Sequence, residues 1–252
     1  MNSDSFNLLC DDLFLDMYVN TELELPTERD TILSFFERVR KQYPSMGCFY
    51  RRENEYCLEE DRERSQYRWV CLETDRIGSG VVNPSEFEMA YEQDRLVLEL
   101  IPYMLSVSSL DIDSLDVTFA MDFDYTGNHD EVIAEALLTQ SAFGCVLDLP
   151  GAKPIGVSPT IVVALSNDEL TQARISIESK TGVYGQKKKE QIIDEAISLS
   201  CTIRQYPETF EKFNPIESFN RQYRIAEELM IEKIIPGIVM PLTETIAQKR
   251  LT

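Results

Sequence analysis

Histidine is almost missing from this chain: His129 is the only one in 252 residues. With no second histidine, a catalytic dyad or triad can be assembled at one place at most, and nothing near His129 in sequence supplies its partners. The six cysteines, Cys10, Cys48, Cys57, Cys71, Cys145 and Cys201, contain no Cys-x-x-Cys pair, so no zinc ligand set and no dithiol redox motif is spelled out. No apolar run approaches the ~18–20 residues that cross a bilayer. The first cation is Arg29, so no basic leader segment is expected. Positive charge is scarce throughout, with 24 Lys and Arg against 44 Asp and Glu.

What is present is an acidic, otherwise ordinary globular composition, 43% hydrophobic and 27% charged, with a net charge of −20. That is enough apolar material for a core. The charge is not a tail, because residues 1–110 carry −11 and residues 111–252 carry −9. An evenly spread negative field repels phosphate backbones and anionic lipid, so neither nucleic acid nor membrane is an expected partner, whereas a basic protein is. Most cysteines sit in apolar stretches such as Trp69-Val70-Cys71-Leu72. The expectation is therefore six free thiols in a cytoplasmic protein.

Periodicity predicts an α+β fold. Residues 13–25 alternate, Leu13, Leu15, Met17 and Val19 against Asp16, Asn20 and Glu22, as a half-buried strand does. Thr27 is placed to cap a helix carrying Ile32, Phe35, Phe36 and Val39, ending before Pro44. Strands are expected over 48–58 and 67–74, followed by a helix with Asn83 as cap, Pro84 at its first turn and an end at Ile101-Pro102. The order then recurs. A strand spans 115–125, Asn128 caps a helix that Gly144 ends, and strands cover 160–165, 173–178 and 197–204. A last helix opens at Asn214-Pro215-Ile216-Glu217 and ends at Ile235-Pro236.

Both closing helices begin Asn-Pro-x-Glu, place a tyrosine four residues after a phenylalanine (Phe87 and Tyr91, Phe219 and Tyr223), and reach Ile-Pro. The expectation is two diverged β-α-β-β(-β)-α copies, residues 1–110 and 111–252, forming one compact body with an antiparallel sheet and helices on one face. The second copy is longer, with its surplus in Leu149–Gly156 and after Gly185. Extra loops on one copy are where a binding surface is expected. The run Val70-Cys71-Leu72-Glu73-Thr74-Asp75-Arg76-Ile77 and the Phe219…Tyr223…Ile234-Ile235-Pro236 helix resemble an uncharacterised, sporadically distributed bacterial family with a duplicated strand–helix–strands–helix unit. The resemblance implies the duplicated α+β layout and no activity.

Candidate sites are few. Asp122, Asp124 and Asp130 occupy positions 1, 3 and 9 of a calcium-loop spacing around Gly127, but Ile133 stands where the twelfth, bidentate ligand belongs. The stretch is expected to be a strand end, a turn and a helix start, with His129 exposed beside the cap and no metal bound. Gly182–Lys189 is the basic island, and its glycine spacing is not that of a phosphate loop. Tyr50, Tyr56, Tyr67 and Trp69 could stack a planar ligand and are expected to pack the sheet instead. No catalytic residue and no cofactor is expected. The functional expectation is a non-enzymatic interaction protein for a basic partner. The alternative is a ligand-binding protein or enzyme with a pocket between the halves.

Overall fold

The alternation near the N-terminus becomes β1 (Asp12–Thr21), with Leu13, Leu15, Met17 and Val19 buried on one face and Asp12, Asp16, Tyr18 and Asn20 on the other. The computed structural model describes residues 6–179, 196–208 and 213–251. After β1 come α1 (Arg29–Gln42), β2 (Cys48–Arg52), β3 (Glu55–Glu59), β4 (Tyr67–Leu72), β5 (Arg76–Val82) and α2 (Phe87–Met104). The second half contributes β6 (Ile112–Phe123), α3 (His129–Leu137), the short α4 (Gly144–Leu147), β7 (Thr160–Ala164), β8 (Thr171–Ser179) and β9 (Ile197–Gln205). It closes with α5 (Pro215–Leu229), a π-helical stretch (Met230–Val239) and α6 (Met240–Arg250).

The nine strands among the described residues form one antiparallel sheet in the order β2-β3-β4-β5-β1-β6-β9-β8-β7. The fold is α+β, with helices packed on that sheet. The first half supplies the block from β2 to β1 and the second the block from β6 to β7. They meet where β1 runs against β6 from Asp12↔Asp122 to Thr21↔Ile112. α2 lies over β5 and β1, and α5 over β6 and β9. The two helices touch through Tyr91, whose ring stands 5.2 Å from Phe219 and 5.3 Å from Tyr223. Each sends a buried glutamine amide to sheet carbonyls. Gln93 donates to Trp69 O and Gly80 O at 3.0 Å, and Gln222 to Leu115 O at 2.6 Å and Ile203 O at 2.8 Å. A carbonyl turned toward a helix would otherwise be buried unpaired at a cost of about 1–3 kcal/mol.

Local signals resolve unevenly. Asn128 and Asn214 are N-caps, accepting from Glu131 N and Glu217 N. Asn83 is not. It has φ +48° at the end of β5, its Oδ1 accepts from Leu13 N at 2.7 Å, and α2 begins four residues later. Thr27 is no cap either, because Glu28 holds that position without a side-chain bond. Neither Ile-Pro ends a helix. α2 runs two residues past Pro102, and Pro236 sits inside the π-helical stretch, whose wider turn accommodates its ring. The expected strand over 48–58 is a hairpin, β2–β3, turning at Glu53 with φ +48°. Gly144 does not end the helix capped by Asn128, which stops at Leu137.

Six free thiols are not what the structure contains. Cys57 faces Cys71 directly across β3 and β4, and the two are joined as a cross-strand disulfide with Cα atoms 4.4 Å apart. Cys10, Cys48, Cys145 and Cys201 are free. Among the described residues no helix is long and apolar enough to cross a membrane.

Candidate functional site

The two edges of the sheet differ in kind. At one edge β2, Cys48–Arg52, ends in two arginines, Arg51 over the Tyr56 ring and Arg52 over the Tyr50 ring. α1 covers its helix-side face through Phe36, 5.3 Å from Phe49. At the other edge β7 reads Thr-Ile-Val-Val-Ala, and every residue is exposed, Ile161 to 62%, Val162 to 55% and Val163 to 42%. Ile161 and Val163 pair with Ile175 and Ala173, which places them on the helix side of the sheet, while the main sheet contacts of α5 are with β6 and β9.

The chain leading into β7 has the same character. Residues 136–167 hold two charged side chains, Asp148 and Lys153, where a chain 27% charged would place about nine in 32. Phe143, Val146, Leu149, Ile155, Ile161, Val162, Val163 and Leu165 all lie in it, eight of the fifteen large hydrophobics exposed among the described residues. Monomeric proteins seldom leave such a concentration wet unless it meets something. The segment is pinned rather than loose: Asp130 accepts from Val157 N at 2.8 Å, Asn128 donates to Pro154 O at 3.0 Å, and Ser158 donates to Ile177 O at 3.2 Å. The gap in charge was legible in the sequence. Hydropathy alone did not mark it, because its apolar residues are interleaved with Ser, Gly and Pro.

The face of the sheet away from the helices carries a second feature, a groove of about 360 Å³ across the junction of the halves. Arg76, Arg174 and Arg204 enter it beside the hydroxyl pairs Thr118–Thr202 and Ser176–Ser200, each 2.8 Å apart. Two of the arginines are already engaged. Arg204 grips Asp116 at 2.7 and 2.6 Å, and Arg76 grips Glu73 at 2.7 and 2.9 Å while stacking on Tyr18. On the same face, Gly78 and Gly80 let Trp69 lie flat, since a Cβ would come within 2.9 and 2.7 Å of its ring. Asp16 is held beneath that ring with Oδ1 buried and unpartnered. Burial pushes its carboxyl up to about 7, the Trp69 indole pulling the other way and Asp122 adding to the rise. Asp94, buried under α2 with its own Oδ1 unpartnered, is raised well above the usual range by burial, against the Ser79 hydroxyl.

The residues singled out in sequence are dispersed. Asp122 accepts from Ser198, Asp124 follows the end of β6, and Asp130 is tied to Val157 N. Among the described residues the one set of ligand-type atoms within 4.8 Å of one another is Glu55 with Cys57 and Cys71, whose sulfurs are bonded to each other. His129 is buried rather than exposed, with Nε2 2.6 Å from Tyr125 O and Nδ1 3.3 Å from Ser179 Oγ. Tyr50, Tyr67 and Trp69 share the open face, whereas Tyr56 pairs with Leu72 on the helix side. Gly182–Lys189 lies outside the described residues.

No protein-family model matches the chain, and no curated protein does. Among solved structures, an immunity protein, TplEi of T6SS from Pseudomonas aeruginosa, complexed with "L" peptide, aligns at 13% identity over 88% of this chain and 91% of its own. The TM-score is 0.19, below any shared fold.

Proposed function

We propose that this protein is a non-enzymatic interaction protein whose docking surface is the charge-poor stretch 136–167 with edge strand β7, and whose partner is a basic protein. The observation that carries this is the concentration of exposed apolar side chains in a segment almost free of charge, on a body of −20. Asp168 and Glu169 follow it in sequence and Glu178 borders it in register, against the one cation Arg174 beside Val162, which gives an apolar centre and a net acidic rim. Included in the proposal are the two-copy organisation, 1–110 and 111–252, supported by the two strand blocks that meet at β1–β6, and a cytoplasmic location, against which the Cys57–Cys71 bridge counts.

Comparison of immobilised wild-type chain with an Ile161→Glu/Val163→Glu variant and with Arg174→Ala, all exposed to one lysate, is the test. The expected outcome is a basic protein retained by the wild type and Arg174→Ala and lost from the double variant. Equal retention by all three would contradict the docking surface.

A second possibility is a small-ligand protein using the open-face groove, which lies between the halves. It is the weaker of the two because two of its three arginines are bound by the chain's own carboxylates. Loss of retention in Arg174→Ala alone would contradict the docking surface and place recognition at the groove instead.

A further inference from the structure

We infer that the partner binds by strand addition: one extended segment, apolar at its centre and flanked by lysine or arginine, continues the sheet along the outer edge of β7. This rests on the interaction function proposed above and goes further, naming the mode of docking and the chemistry of the docked segment.

The register of β7 decides which backbone groups are available. Leu165 N donates to Thr171 O at 2.7 Å, and Ile177 N donates to Pro159 O at 3.0 Å. In an antiparallel ladder hydrogen-bonded pairs recur every second residue. Pairs 159/177, 161/175, 163/173 and 165/171 therefore close the β7–β8 ladder. Thr160, Val162 and Ala164 have the other parity, so their three N–H and three C=O groups point outward from the edge. That row is the template an incoming strand needs, and peptide-binding domains that add strands use such a row for affinity.

Exposed edges are ordinarily blunted by charge, proline or a bulge. β2 follows that rule with Arg51 and Arg52. β7 has neither a charge nor an internal proline; Pro159 precedes it and spends its carbonyl on β8. Ile161 and Val163 on one side and Val162 on the other would flank matching side chains of an added strand.

The flanks decide the sign of the partner. Asp168 and Glu169 lie in the turn just beyond β7 and Glu178 stands on β8 opposite Ser198, three acids against one cation, Arg174, which pairs with Val162. A second copy of this chain could pair β7 with itself, Val162 against Val162 and Thr160 against Ala164. That would set −20 against −20 and carry the Asp168–Glu169 turn of each copy toward the Glu178 end of the other's β7. A cationic-flanked segment meets the opposite sign at the same place.

The test uses the full chain and a fluorescent nonapeptide, Lys-Lys-Val-Thr-Val-Thr-Val-Lys-Lys, with a glutamate-flanked counterpart, read by anisotropy at low salt. The lysine peptide should bind at least about tenfold more tightly than the glutamate peptide. Val162→Pro removes one outward N–H while leaving the β8 ladder intact, and should weaken binding about tenfold, whereas Val162→Thr should not. If Val162→Pro lowers the melting temperature, the peptide can be altered instead. N-methylation of its residues of one parity should abolish binding and of the other parity leave it unchanged. No binding of the lysine peptide, or binding indifferent to Val162→Pro and to N-methyl parity, overturns strand addition. Binding lost only in Ile161→Glu/Val163→Glu keeps the surface and removes the strand. A chain dimer dispersed by Val162→Pro, without peptide binding, makes the occupant a second copy.

Discussion

Asp16 sits across from Gly80 on the open face, with the Trp69 indole above it and one carboxylate oxygen sealed from any partner. Its folded pKa, about 7 against the ordinary 3.8, means that the folded chain holds the proton more tightly than the unfolded one. Such a group costs nothing below about pH 4, costs progressively more as pH rises toward 7, and costs a constant amount above that. Asp16→Asn should therefore raise stability at pH 8, by about 2–4 kcal/mol, and leave it unchanged at pH 4. Urea titrations at the two pH values measure this, and an equal effect at both would refute the account of Asp16. Neither the sealing of this carboxylate oxygen nor the burial of Asp94 was legible. Asp16 alternates with Leu15 and Met17 as a wet residue should, and only Gly78 and Gly80, sixty residues on, admit the ring that covers it.

At the scale of elements, legibility follows the range of the interactions. Asn128 and Asn214 cap helices because their partners are three residues away, and the alternation of β1, β6 and β9 survives because each has one buried face. Asn83 carries the same Asn-Pro signal, but its side chain answers to Asp12 and Leu13, seventy residues upstream, and ties the end of β5 to the start of β1. β5 itself escaped prediction, since Ile-Gly-Ser-Gly-Val-Val lacks both alternation and branched residues at its centre. The cross-strand cysteines were hidden for a related reason. Cys57 and Cys71 meet only once β3 and β4 are set in register by the loop that separates them. Alkylation of the denatured, unreduced protein should add four groups, one each at Cys10, Cys48, Cys145 and Cys201. Six would contradict the bridge.

On the scale of the whole molecule, one sheet carries helices over its centre and leaves its two edges unequally protected. The acidic charge is spread over both halves, while the exposed apolar side chains are concentrated in one stretch of the second half, ending at β7. That stretch contains Leu149–Gly156, one of the two surplus loops where a binding surface was expected from sequence. The edge strand beside it was foreseen as a strand but not as an edge, because strand order is a property of the assembled sheet. Burial of an apolar, hydrogen-bond-hungry edge supplies affinity, and the acidic field supplies rate and choice of partner, so association should weaken with salt without vanishing. Amide hydrogen exchange of the full chain with and without the lysine-flanked peptide reads the claim residue by residue. Thr160, Val162 and Ala164 should slow on binding while the amides on β1, β5, β6 and β9 that line the Arg76–Arg174–Arg204 groove keep their rates. Slowing confined to the groove, with those three amides unchanged, would contradict it.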